Sequence, residues 1–97
     1  MPGSRIKTFE GNDLRELLTF LVIYQERGVV KASKRLGVGQ PAVSNTLSNL
    51  RCRFDDVLFT MPNCQPTSKS HRMAEILFPA MDCLQKAIDE VQHLRAD

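Results

Sequence analysis

No stretch of this chain is apolar for long enough to cross a bilayer, and no basic-then-apolar leader opens it. A spanning helix needs about 20 consecutive apolar residues. The chain therefore reads as neither membrane-spanning nor secreted. Cysteine is scarce: Cys52, Cys64 and Cys83 are odd in number and widely spaced, which fits neither a metal-ligand repeat nor a redox pair. They read as ordinary thiols of a reducing cytoplasm. His71 and His93 stand alone, so no metal site is expected. No nucleophile–base pair, carboxylate dyad or phosphate loop is present. Ser44 could be taken for a nucleophile only by ignoring its lack of a nearby histidine. These absences argue against an enzyme, a cofactor or a small-molecule ligand in this chain.

What is present is small and unevenly charged. A chain of 97 residues forms one small domain at most. A hydrophobic content of 42% allows a core, but domains this size are marginal without added burial, and oligomerisation supplies it commonly. The net charge of +2 hides an asymmetry. Residues 1–72 hold eleven Lys/Arg against six Asp/Glu, a balance of +5; residues 73–97 hold two against five, a balance of −3. The basic part suits a polyanionic partner, and the acidic tail does not.

The hydrophobic pattern places the elements. A first helix should begin at Asp13, with Asp13 and Glu16 at capping-box spacing. Leu14, Leu17, Leu18 and Leu21 form its inner stripe, with Phe20 and Tyr24 beside them as core residues. Gly28 should stop it. A short second helix spans Lys31 to Leu36, with Ala32 and Leu36 inside and Lys31, Lys34 and Arg35 outside. It ends at Leu36-Gly37, and Val38-Gly39 make a tight turn. A third helix then starts at Gln40-Pro41, with Gly39 as N-cap and Pro41 in the first turn, where a missing N–H costs nothing. Its Val43, Leu47 and Leu50 fall at i, i+4 and i+7, so one face points inward. The opposite face carries Gln40, Ser44, Asn45 and Ser48, small uncharged groups able to bond base edges in a major groove. A helix, a tight turn and a polar-faced second helix form a helix-turn-helix. The third helix runs to about Arg53. Lys31, Lys34 and Arg35 of the second helix and Arg51 and Arg53 of the third are the candidate phosphate contacts, against the plainer reading of solvated charge or dipole complement.

Beyond Asp55-Asp56, Val57-Leu58-Phe59 fits a strand, Pro62-Asn63 a turn and Cys64 to Thr67 a returning edge strand. Such a hairpin is a wing, with Thr60, Met61 and Asn63 at its end. From Ser68 to Leu94 runs a long apolar stripe: Met73, Ile76, Leu77, Ala80, Met81, Leu84, Ala87, Ile88, Val91 and Leu94. Pro79 should kink this helix. At roughly 40 Å it outruns so small a core. Its simplest partner is its own copy, meeting through Leu77, Met81, Leu84, Ile88 and Val91. The expected organisation is an N-terminal arm or expression remnant (1–12), a winged helix-turn-helix (13–67) and a linker or dimerisation helix (68–97), mainly α throughout.

The stretch RLGVGQPAVSNTLSNLR, with Leu14, Phe20, the segment Ala32 to Leu50, Leu58-Phe59 and Pro66-Thr67, resembles the N-terminal region of LysR-type transcriptional regulators. The nearest subgroup in character contains the nodulation and LeuO-like regulators. The likeness covers about Asp13 to Val91. It implies base contacts from Gln40, Pro41, Ser44 and Asn45, wing contacts to the minor groove or phosphates, and dimerisation through the long helix. Members usually carry a large C-terminal effector-binding domain, so the chain reads as a DNA-binding fragment or a naturally short relative. It departs from the pattern at Val30 and Gly39, where capping hydroxyls are common, at Met61, where the wing usually has arginine, and at Ser68-Lys69-Ser70, which replace more apolar residues. The expected function is sequence-specific binding of double-stranded DNA by a cytoplasmic, nucleoid-associated homodimer on a roughly palindromic site. The alternative is a winged-helix protein-interaction module that has lost DNA binding.

Overall fold

The computed structural model describes residues 13–95. Its elements are α1 (Asp13–Glu26), α2 (Val29–Leu36), α3 (Gln40–Phe54), β1 (Phe59–Thr60), β2 (Gln65–Pro66) and α4 (Ser68–Gln92). The N-terminal arm expected over 1–12 lies outside the described residues.

Helix α1 is the hub, packed against α2, α3 and α4. Three neighbours demand a broad apolar face, and Phe20, Leu21, Val22 and Ile23 supply it in an unbroken run. The leucine stripe expected from spacing is inward only in part. Leu21 is buried and Leu14 and Leu17 are half-buried, but Leu18 is 47% exposed. The inner face centres instead on Phe20 and Ile23. The capping-box reading of Asp13 and Glu16 is also corrected. Asp13 lies inside the helix, and both carboxylates reach across to Arg53 of α3.

Arg27, not Gly28, takes the left-handed backbone conformation after α1, with φ 56°. Its N–H donates to the Ile23 carbonyl at 2.8 Å. The guanidinium compensates by lying 4.9 Å from the Tyr24 ring centroid and donating to the Tyr24 carbonyl. Gly28 is extended and is the N-cap of α2, so α2 starts two residues earlier than the charge pattern implied, and Val30 falls inside it rather than at the cap. Gly37 closes α2 with φ 70° while Val38 N–H reaches back to the Ser33 carbonyl at 3.0 Å. This is the left-handed stop that favours glycine.

Helix α3 follows its sequence pattern closely. Gly39 is the N-cap, Pro41 is in the first turn, and Val43, Leu47 and Leu50 are buried. Asp55 ends it with φ 50°. The wing is smaller than expected, two residues per strand, pairing Phe59 with Pro66 and Thr60 with Gln65 in antiparallel register. Val57 and Leu58 are not strand. Leu58 has φ 68°, and Phe59 N–H bonds the Val57 carbonyl at 2.8 Å, a tight three-residue turn. A regular strand would send consecutive side chains to opposite faces. The turn sends both Leu58 and Phe59 inward, each fully buried, and leaves Val57 outside.

Phe59 meets Phe20 at 5.5 Å between ring centroids. The core formed here takes in residues from α1, α2, α3, the wing and Ala74 of α4. Helix α4 contributes further through half-buried Met73, Leu77, Phe78 and Met81. It continues helically through Pro79. Beyond Met81 its side chains are exposed, and the molecule extends to 54 Å along its long axis.

Truncating Phe59 should therefore cost far more than truncating its near neighbour. Phe59→Ala is expected to lose about 3–5 kcal/mol of unfolding free energy, and Val57→Ala no more than about 0.5 kcal/mol. Urea denaturation followed by circular dichroism measures both; similar losses would contradict the inward turn at Leu58.

Candidate nucleic-acid interface

The outward face of α3 divides in two. Gln40, Pro41, Ser44, Asn45 and Ser48 are all exposed, and their side chains make no hydrogen bond to any described residue. Asn49 and Arg53 are also exposed but turn toward α1. Arg53 bonds Asp13 at 2.8 Å and Glu16 at 3.2 Å, and Asn49 donates to the other Glu16 oxygen at 3.3 Å. At the N-terminal end of α3, Ala42 N–H already bonds the Gly39 carbonyl at 3.1 Å and Pro41 has no N–H. The first turn thus presents the dipole end and polar side chains rather than a row of free amides.

The five basic residues expected at phosphates are placed differently from one another. Lys31 and Lys34 are exposed on α2 and form no ion pair among the described residues. Arg35 is exposed but bonds Gln25 at 2.7 Å and Glu26 at 3.1 Å. Arg53 is held by the α1 carboxylates. Arg51 is half-buried and donates to the Val57 and Phe59 carbonyls at 2.7 and 3.0 Å. Residue type alone could not separate these roles, because each depends on a partner brought near by folding.

The wing carries Thr60, Met61 and Asn63 exposed, with Met61 49% accessible. Residues 57–66 contain no charged side chain. Sequence reasoning missed what holds the wing. Asp56 Oδ2 accepts the Leu58 N–H at 2.8 Å and the Thr67 hydroxyl at 2.7 Å. Thr67 Oγ1 caps α4 by accepting the Ser70 N–H at 3.2 Å, and the buried Ser70 hydroxyl donates to the Leu58 carbonyl at 2.6 Å. Ser70, read in the sequence as a loss of apolar character, is thus a fully satisfied buried group. The signal available was Thr67 followed three residues later by Ser70, a capping pattern; the link to Asp56 had none. Nearby, Tyr24 and His71 bond Oη to Nδ1 at 2.7 Å, tying α1 to α4. Burial pushes the Cys64 thiol above its ordinary value, while Cys52 and Cys83 are exposed and free. Among the described residues no three His, Cys, Asp or Glu side chains could hold a metal, and no helix is long and apolar enough to cross a membrane.

An amphipathic helix-turn-helix with a two-stranded wing, continued by a long helix, defines the winged helix-turn-helix class. Residues 14–70 match the bacterial regulatory helix-turn-helix proteins of the lysR family. The chain belongs to the LysR family. It is 38% identical over 89 residues to the HTH-type transcriptional regulator YidZ of Citrobacter koseri, covering 90% of this chain and 28% of that protein. It is also 38% identical over 78 residues to the HTH-type transcriptional activator NagR of a Ralstonia species, covering 78% of this chain and 26% of that protein. The fold is similar to that of the probable transcriptional regulator PA0477 from Pseudomonas aeruginosa, with TM-score 0.77 at 30% identity over 86% of this chain and 28% of that one. The chain thus spans about a quarter of the length of these relatives.

The Asp56 network makes a pH prediction. The Thr67 hydroxyl and then the Leu58 N–H hold the Asp56 carboxyl below its ordinary range, with Lys69 adding to the effect and desolvation opposing it. A depressed folded-state value means stability that is present above the unfolded value and is lost as pH falls through the folded one. The stability gap between the unaltered protein and Asp56→Asn should therefore be full at pH 7 and close as the solution is acidified below the ordinary carboxylate range. Denaturation series at several pH values read this. A gap that widens on acidification would contradict it.

Proposed function

We propose that the protein binds double-stranded DNA sequence-specifically as the DNA-binding part of a bacterial transcription regulator, with α3 lying in the major groove. The observation that carries this is the row Gln40, Ser44, Asn45 and Ser48. It is exposed, rich in donors and acceptors, and without a side-chain partner among the described residues, although Asn49 and Arg53 on the same helix are engaged. Pro41 sits at the same end and sets the entry of the helix. Lys31 and Lys34 flank it as phosphate contacts, with Arg35 able to exchange Glu26 for phosphate. The wing, Thr60 to Asn63, lies against the flanking groove without charge of its own. Residues 13–67 form the reading unit and 68–97 the linker. Its place of action is the cytoplasm, at the nucleoid.

The working form is a homodimer. Leu84, Ile88 and Val91 are 39%, 41% and 64% exposed on one side of α4, far from any core of their own chain. Leu77 and Met81 are half-buried against that core and border the seam. Two-fold symmetry places two copies of α3 about 34–36 Å apart, or a multiple of that, and makes the site a rough palindrome.

The uncharged wing with Met61 exposed is the one observation that favours the other reading, a protein-interaction module. DNA titration separates the two. Gln40→Ala and Ser44→Ala should each lower the ratio of affinity for a selected duplex to that for a scrambled one, by about 1–3 kcal/mol for a lost base contact. Unchanged ratios in gel-shift titrations would take base reading away from α3.

For the dimer, Leu84→Asp combined with Ile88→Asp should sediment as a monomer and keep only weak binding to a half-site. An unaltered protein that already sediments as a monomer at micromolar concentration would overturn the dimer.

A further inference from the structure

We infer that Arg51, which its residue type marks as a phosphate contact, instead positions the wing relative to the reading helix, so that α3 and the wing engage DNA as one rigid unit. The inference rests on the DNA-binding reading and adds to it a residue that acts through another element.

The geometry is specific. Arg51 lies three residues from the C-terminal end of α3 and its guanidinium crosses to the wing. Nε donates to the Val57 carbonyl at 2.7 Å and Nη2 to the Phe59 carbonyl at 3.0 Å. These two acceptors bracket Leu58, whose φ of 68° makes the tight turn. The turn is thus held from two sides, by the Asp56 carboxylate on the Leu58 N–H and by the Arg51 fork on the carbonyls before and after it. Burial of Leu58 secures the centre of the turn, but Val57 before it is 53% exposed, and a hairpin of two residues per strand is marginal by itself. Leu58, Phe59 and Cys64 anchor the base of the wing in the core, but apolar contacts at the base leave its exposed end, Thr60 to Asn63, free to tilt. A planar fork reaching two carbonyls fixes that tilt. Lysine, a point donor on a flexible stem, cannot reproduce both bonds.

The charge pattern supports the same conclusion. With no ionic group in residues 57–66, the wing cannot be drawn to phosphates by charge. Its contribution to binding depends on being held where the flanking groove lies. Arg53, two residues on, is engaged by Asp13 and Glu16, so the C-terminal turn of α3 directs both arginines inward to its neighbours.

The test uses the 97-residue chain and duplexes that the unaltered protein selects from a random-sequence library, in a long form and in a form trimmed to the segment under α3. Arg51→Lys and Arg51→Gln should both lose hydroxyl-radical protection at the flanks and keep it at the centre. Both should bind the long duplex about tenfold more weakly, the scale of a lost charge-assisted hydrogen bond, while binding the trimmed duplex as the unaltered protein does. The slope of log affinity against log salt should be unchanged in both. If Arg51→Lys behaves as the unaltered protein and Arg51→Gln lowers the slope by about 0.9, Arg51 is a phosphate contact and the inference is overturned. Equal losses on long and trimmed duplexes overturn it too, since a merely structural role weakens everything alike. Should both variants fail to fold, the unaltered protein decides. The Arg51 Nε–H resonance is expected to be protected from exchange and to hold its position when DNA is added, and a resonance that shifts as phosphate replaces the carbonyls contradicts the inference. A protein that selects no duplex overturns the DNA reading, and this inference with it.

Discussion

Phe59 against Phe20 is the contact on which the remaining geometry depends. Phe20 belongs to the helix that touches α2, α3 and α4, and Phe59 is the first residue of the wing. Their meeting brings the wing under the hub helix and requires the chain between α3 and β1 to turn within four residues. That requirement explains the positive φ of Asp55 and Leu58. Left-handed backbone at a bulky leucine costs about 1–2 kcal/mol, and full burial of Leu58 and Phe59, at about 1.5–3 kcal/mol each, exceeds it. The polar set around the turn then removes the remaining cost. Asp56, Thr67, Ser70 and the Arg51 fork satisfy backbone groups that a tight turn would otherwise leave unpaired, and among the described residues no buried side-chain polar atom lacks a partner.

From this follows the character of the surface. With Val43, Leu47 and Leu50 committed to the hub, helical periodicity leaves Gln40, Ser44, Asn45 and Ser48 no inward alternative. With Arg53 and Asn49 engaged by α1, the open part of α3 is its N-terminal two and a half turns or so. The same hub takes the first half of α4 through Ser70, Ala74, Met73 and Phe78. The second half runs on past the core, so the apolar stripe there remains exposed.

How much of this could be read from the residues depended on the range of the interaction. Turn chemistry is local, so Gly37, Gly39 and Pro41 marked the helix-turn-helix, and the triad Val43, Leu47 and Leu50 marked its inner face. The family likeness rested on the same stretch, and the match over residues 14–70 agrees with it. Leu18 lies outside the inner face of α1 that its spacing implies, because a helix with three neighbours is not described by one stripe. Helix α2 starts at Val29, before the charge pattern begins at Lys31, because Val29 and Val30 carry no charge to mark it. Strand periodicity failed at Leu58, where two consecutive inward residues need a turn. The roles of Arg51, Arg53 and Asp56 depend on Val57, Asp13 and Thr67, which lie 6, 40 and 11 positions away in sequence, and no spacing rule connects them.

The central claim is that the outward face of α3 reads base edges in the major groove. Methylation interference tests it most directly, because N7 of guanine is exposed only there. Duplexes selected by the protein would be sparsely methylated at guanine N7, and bound and free fractions compared. The account predicts that methylation blocks binding at a few guanines in two clusters related by two-fold symmetry, about one helical turn apart or a multiple of it. Binding indifferent to N7 methylation across the whole protected region would contradict it.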